Sequence, residues 1–251
     1  LLRTHYFYGS RVAFSLAAVD PTNFPDYVEF FASGSESLSV FEVFRRANLP
    51  LPPLHAIRRS GFKGYESVVD SPIAKQKLKQ LLVESRARIL HKGALTRSCF
   101  KEYFGSLVYG TRKVAVIDVG WVGSSLLPLL DIVRRDFPDI ELHGYYAALL
   151  PAPHFSLLSS EATIDAYICK PGYNEHLFAP IDQSRAFIEL FFSAPHPTVV
   201  DYARERGAVE PIYCTPAGAA SDFSRLLDEI NRGIERFVLA ADRPADRKSV
   251  V

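Results

Sequence analysis

Methionine is absent from all 251 residues. Translation begins on methionine, so a chain opening on Leu1 is read as a fragment, a processed product, or a sequence whose methionines are missing; in the last case some spacings below are one short. Cysteine is scarce as well. Cys99, Cys169 and Cys214 stand far apart, with no CxxC and no Cys/His pair at zinc-ligand spacing, which argues against a disulfide framework and a zinc site and favours a reducing compartment. No apolar run reaches the roughly 18 residues a membrane-spanning helix needs, and the N-terminus lacks a secretory pattern, so no transmembrane segment and a cytoplasmic location are expected. Neither sign of charge is in excess: 29 Lys plus Arg face 28 Asp plus Glu, which speaks against nucleic acid and anionic membranes as partners. Any anion site must be local. Repeats and low-complexity linkers are also missing.

What remains is an ordinary globular composition, 48% hydrophobic and 23% charged, with enough apolar mass for a core. The expectation is a single α/β domain over residues 1–251 with a parallel sheet and a helical insertion at about 20–110. "HYFYG" at 5–9 reads as a β-prone segment ending in a turn at Gly9, with Ser10 capping the helix "RVAFSLAA". Proline-punctuated short helices follow. Residues 71–107 then form a long charged amphipathic pattern, opened by Ser71 as cap and Pro72 at the first helical position. After Gly110 strands and helices alternate: "KVAVIDVG", "SSLLPLLDIVRRDF" and "IELHGYYAAL" make a βαβ unit, hence a parallel pair. "IDAYICKP", "RAFIELFFSA" and "SDFSRLLDEINRGIERFVLAA" continue the mixed character, and the polar tail "DRPADRKSVV" is read as frayed.

The stretch "VAVIDVGWVGSSLL" carries the chemistry. An apolar strand ends at Asp118, and a loop with Gly120, Gly123, Ser124 and Ser125 leads into a helix. In an open parallel sheet ligands bind beyond the carboxyl ends of the strands, and loop amides with hydroxyls at a helix N-terminus suit a phosphate. Asp118, itself an anion, suits a ribose diol or a Mg²⁺ ion bridging to phosphates. GxxG spacing is not GxGxxG, and GK[ST] is missing, which weakens a Rossmann or P-loop reading. The glycines serve a tight strand-to-helix turn, capped by Ser124, equally well. Trp121, the single tryptophan, sits in the loop, where a large amphipathic ring is useful against a ligand.

The strand, acid and glycine/serine loop resemble the phosphoribosyl pyrophosphate signature of type I phosphoribosyltransferases, though Val119 stands where the second acid belongs and the loop is about one residue shorter. With "HYFYGSRVAF", "LHGYYAAL" and "IELFFSAPHPTVVDY", the chain more narrowly resembles the domain attached to haloacid-dehalogenase-type phosphatases in bacterial polysaccharide gene clusters. The resemblance implies a parallel-sheet type I phosphoribosyltransferase-like core. It further implies transfer of 5-phosphoribose from phosphoribosyl pyrophosphate to a glycan acceptor, Mg²⁺ as cofactor, and a partner phosphatase that leaves ribofuranose. The phosphatase signature DxDx[TV] is missing, since "VDPTNF" lacks the second aspartate. Two rivals stay open: a nucleotide-sugar glycosyltransferase, and a non-catalytic module that docks a phosphatase.

Under this resemblance Tyr8, Ser10 and Arg11 join the substrate side, Arg11 as a bidentate pyrophosphate ligand; a surface arginine on a first helical turn is the alternative. His196, between prolines, is a candidate base on the acceptor hydroxyl. Glu189, in the apolar run "FIELFF", must be paired or functional. Tyr145 and Tyr146 end the strand after the motif; alternation sends one to the core, and Tyr145 is assigned to the site. "CKPGYNEHLF" reads first as a polar turn and second as an acceptor-side loop.

Overall fold

The structure, a computed structural model, describes residues 3–152, 163–194, 196–214 and 220–241. It is a mixed α/β arrangement with a three-stranded parallel sheet and many helices. The polar tail from residue 242 lies outside the described residues.

Six helices precede the first strand: α1 (Arg11–Ala18), α2 (Phe24–Ala32), α3 (Val40–Arg46), α4 (Leu54–Arg59), α5 (Pro72–Glu84) and α6 (Arg86–Leu107). Their starts follow local rules. Ser10 holds an extended conformation and accepts the Ala13 amide, Ser39 and Glu42 close a capping box, and Ser71 caps α5 with Pro72 at its first position. The long pattern at 71–107 divides at Ser85, whose ψ of 2° departs from helical geometry. No strand forms at residues 5–9, so the helices precede the sheet instead of interrupting it, and the expected insertion is an N-terminal helical layer. Tyrosine hydroxyls take the place of a ladder there: the Tyr8 amide donates to the Tyr103 hydroxyl at 2.8 Å, and the Tyr202 hydroxyl donates to the Tyr8 carbonyl at 2.8 Å.

The sheet follows as β1 (Lys113–Trp121), β2 (Glu141–Leu149) and β3 (Thr163–Cys169), in that spatial order and parallel throughout; α7 (Leu126–Asp136) links β1 to β2. Asp118 pairs with Tyr146, and Gly120 with Ala148. Leu142, Gly144 and Tyr146 face the core with α7, while Ile117 (84% exposed), Tyr145 and Tyr167 (88% exposed) lie on the opposite, open face. Beyond β3, a turn at Lys170–Tyr173 and a 3₁₀ turn at Glu175–Leu177 lead into α8 (Phe178–Phe192). A hairpin that the sequence pattern does not announce comes next, β4 (Val199–Glu205) and β5 (Ala208–Tyr213). It turns at Arg206 and Gly207, both with positive φ as a two-residue hairpin loop requires. Helix α9 (Ala220–Ala241) ends the described chain.

One core cluster joins α1 to α7, the inner face of the sheet and β4, with Phe44, Phe100, Phe104, Leu16 and Leu129 among its fully buried side chains. A second, smaller cluster sits at the carboxyl ends of the strands: Trp121, Ala148, Leu150 and Cys169, packed against Val119, Ile168, Phe178, Ile181 and Ile188. Among the described residues no helix is long and apolar enough to cross a membrane.

Candidate functional site

Asp118 is the first polar residue on the inner face of β1. Its Oδ2 accepts the Ser125 hydroxyl at 3.0 Å, and its carboxylate also draws on the backbone amides of Val119 and Gly120. Burial nevertheless dominates and raises its pKa above the ordinary carboxylate value, with the nearby charge of Glu189 adding to the rise. The side chain is therefore a carboxylate whose ionised form is costly, held in place by donors from its own loop.

The loop geometry depends on two glycines. Gly120 (φ +126°) faces the Ala148 carbonyl so closely that no Cβ fits between them, and Gly123 turns the chain at φ +67°. Ser125, not Ser124, occupies the cap position of α7. Its hydroxyl is turned toward Asp118 and makes no capping bond to the first-turn amides. Ser124 stays half-buried beside it.

Trp121 does not face outward. The ring is 7% exposed, packed on Ala148, Leu150 and Cys169, and its Nε1–H donates to Oε1 of Glu189 at 2.6 Å. Glu189 lies at an exposed position of α8 rather than among buried apolar groups, and its pairing is this indole bond. Of the two tyrosines on β2, Tyr146 neighbours the site. It is 4% exposed, it pairs in register with Asp118, and burial together with the Asp118 charge pushes its hydroxyl pKa upward. Tyr145 lies on the open face of the sheet. Strand alternation from Asp118 selects Tyr146 once the register is known; the sequence alone does not supply that register.

A second cluster gathers around His196. Nδ1 meets the Pro197 carbonyl at 2.8 Å, which fixes the proton there and leaves Nε2 to accept the Tyr6 hydroxyl at 3.0 Å. Tyr6, Tyr8 and Tyr213 surround the imidazole, with ring centroids 5.6, 5.3 and 5.0 Å away. Ser10 caps α1 and donates to the Val199 carbonyl at 2.5 Å. Arg11 stands apart from both clusters, its guanidinium 5.7 Å from the centre of the Phe30 ring, and its charge helps burial lower the pKa of Arg46. The turn after β3 behaves as a polar turn: Glu175 accepts the Gly172 amide at 2.7 Å, Asn174 donates to the Ile168 carbonyl at 3.0 Å, and Lys170 pairs with Asp165.

Asp118, Gly120, Trp121, Gly123, Ser124, Ser125 and Glu189 are thus brought together, joined by Tyr146; Tyr8 and His196 belong with Tyr6 and Tyr213. Among the described residues no group of three His, Cys, Asp or Glu side chains is arranged to hold a metal ion. Compared with known proteins, the chain matches no protein-family model and no curated protein.

Proposed function

We propose that the Asp118 loop binds a phosphorylated pentose, and that the protein transfers 5-phosphoribose from phosphoribosyl pyrophosphate to a saccharide acceptor in polysaccharide assembly. The observation that carries this reading is a half-buried, costly carboxylate near the carboxyl end of a parallel strand that continues to Trp121, with a glycine turn at Gly123 and a helix whose N-cap serine makes no capping bond. In the reaction the bond from C1 to the pyrophosphate oxygen breaks, C1 bonds to the acceptor oxygen, and the acceptor proton passes to a base. Asp118 is suited to receive a ribose hydroxyl or share a cation, and loop amides with the Ser124 hydroxyl suit phosphate oxygens.

Mg²⁺ fits the donor chemistry modestly. It takes one or two carboxylates plus substrate phosphates, and Asp118 with the neighbouring Glu189 would supply the carboxylates. Its contribution would be neutralising pyrophosphate charge. His196, its Nε2 unprotonated when neutral, is the base candidate on the acceptor side, reached through Tyr6. The type I phosphoribosyltransferase-like core and the partner phosphatase belong to the same proposal and rest on the resemblance of the loop motif.

Thermal unfolding with phosphoribosyl pyrophosphate and Mg²⁺, with nucleotide sugars, and with buffer alone tests this reading. A ligand at a hundredfold its Kd stabilises the native state by about 2.7 kcal/mol. Stabilisation by phosphoribosyl pyrophosphate alone, lost in Asp118→Asn, is the expected result. A response to nucleotide sugars instead selects the rival transferase, and no response to either selects a non-catalytic module.

A further inference from the structure

We propose that α8 is a lid over the carboxyl ends of the three parallel strands, latched by the hydrogen bond from Trp121 to Glu189, and that it opens to admit a sugar phosphate to the Asp118 loop. The identity of the ligand rests on the function proposed above; the latch does not.

The small apolar cluster contains the last residues of every strand: Val119 and Trp121 from β1, Ala148 and Leu150 at the end of β2, Ile168 and Cys169 from β3. Phe178, Ile181 and Ile188 of α8 close over them. That is the place from which a ligand reaches the loops of an open parallel sheet. A helix standing there either seals the crevice permanently or moves.

The way α8 is held favours movement. None of its 15 residues is fully buried, whereas α1 buries six of eight. Helices with little buried apolar surface open at low free energy, independently of the core. The outer side shows Phe187 and Phe192, each 65% exposed, so the packing on the strand ends is narrow. The entry to the helix contains two left-handed residues, Gly172 (φ +84°) and Asn174 (φ +53°), joined to β3 by the short Lys170–Tyr173 bridge. A polar contact joins α8 to the end of β1, the Trp121–Glu189 bond, and the Glu189 charge lies near enough to Asp118 to act on it. In the closed state α8 covers the strand ends beside the half-buried Asp118; an open lid uncovers them and the loop that follows.

The single tryptophan makes the latch measurable. Hydrogen exchange on the wild-type protein, with acrylamide quenching of Trp121 fluorescence in wild type, Glu189→Ala and Glu189→Gln, forms the test. Expected are faster exchange over residues 178–192 than over β2 and α6, and a severalfold rise in quenching for Glu189→Ala with little change in the global melt. Glu189→Gln, whose amide oxygen still accepts the indole proton, should quench like wild type. Phosphoribosyl pyrophosphate with Mg²⁺ should alter both the quenching and the exchange of 178–192. Exchange over α8 as slow as over β2 overturns the lid, and this arm needs no variant. Unchanged quenching in Glu189→Ala overturns the latch. If exchange and quenching behave as expected but phosphoribosyl pyrophosphate moves neither, the lid stands and the ligand assignment, with the function above, falls.

Discussion

Gly120 and Ala148 meet across the β1–β2 ladder with the glycine Cα against the alanine carbonyl oxygen, leaving no room for a side chain. The neighbour is backbone within a paired strand, so it cannot swing aside. Gly120→Ala must push β1 from β2 at the point where the strand enters the loop, and it also forces a side chain into a positive-φ conformation. The expected loss is about 3 kcal/mol, against about 1 kcal/mol for Gly110→Ala, where φ is +72° and a Cβ meets nothing within 4 Å, so only the backbone conformation is penalised. Urea unfolding of the two variants checks the order; equal midpoints contradict the close approach.

Asp118 makes a prediction of opposite sign. Its folded pKa is raised above the ordinary carboxylate value, so the folded state holds this proton more tightly than the unfolded chain does. The stability the group contributes is fully present below the unfolded pKa and is lost as pH rises through the folded one. Asp118→Asn should therefore melt higher than wild type at neutral pH, with a difference that grows as pH rises from about 4 and then levels off. Thermal melts over a pH series measure this. A variant that is stabilised yet loses its response to phosphoribosyl pyrophosphate marks a residue kept for binding rather than for the fold.

Asp20 titrates the other way. Burial alone would raise its pKa, but the Thr22 hydroxyl at 2.6 Å, the Thr22 and Asn23 amides at 2.8 and 3.2 Å, and the Arg135 guanidinium at 2.7 Å outweigh it and hold it at about 2. A depressed carboxyl contributes stability above its unfolded value of 3.8 that disappears as pH falls toward about 2. Asp20→Asn should flatten the acid limb of the stability curve between those values and leave its shape near neutrality unchanged. A slope identical to wild type in that window removes Asp20 from the acid response.

The contrast between Ser71 and "HYFYG" shows what was legible in the sequence. Ser71 caps α5 because capping is local, a hydroxyl meeting an amide three residues on; the same holds for Ser10 and for the βαβ unit around Asp118. "HYFYG" has strand propensity, but pairing needs a partner strand, and tyrosine hydroxyls from α6 and β4 take its place. The candidate site divides along the same line. The loop and its acid are consecutive in sequence and were readable, whereas the choice of Tyr146 over Tyr145 depends on register, and the pairing of Trp121 with Glu189 spans 68 residues.

Asp201 tests the long-range part of the fold. Only 3% exposed on β4, it accepts the Thr96 hydroxyl at 2.6 Å and the Tyr202 amide at 2.9 Å on Oδ1, while Oδ2 pairs with Lys92 and accepts Asn48 at 3.4 Å. This one carboxylate ties the hairpin to α6 and to the segment after α3. Asp201→Ala leaves a cation, a hydroxyl and an amide without their acceptor, and the expected cost is about 3 kcal/mol. Thr96→Val removes one donor and should cost about 1 kcal/mol. Because Lys92 and Asp201 touch, replacing Lys92 with Met in the Asp201→Ala background should add less than Lys92→Met costs alone, since the charge stranded by the first change is gone. Urea unfolding of the four proteins measures the coupling. Strict additivity would mean that the ion pair contributes nothing, and that Thr96 and Asn48 carry the polar ties from Asp201 to the helical layer.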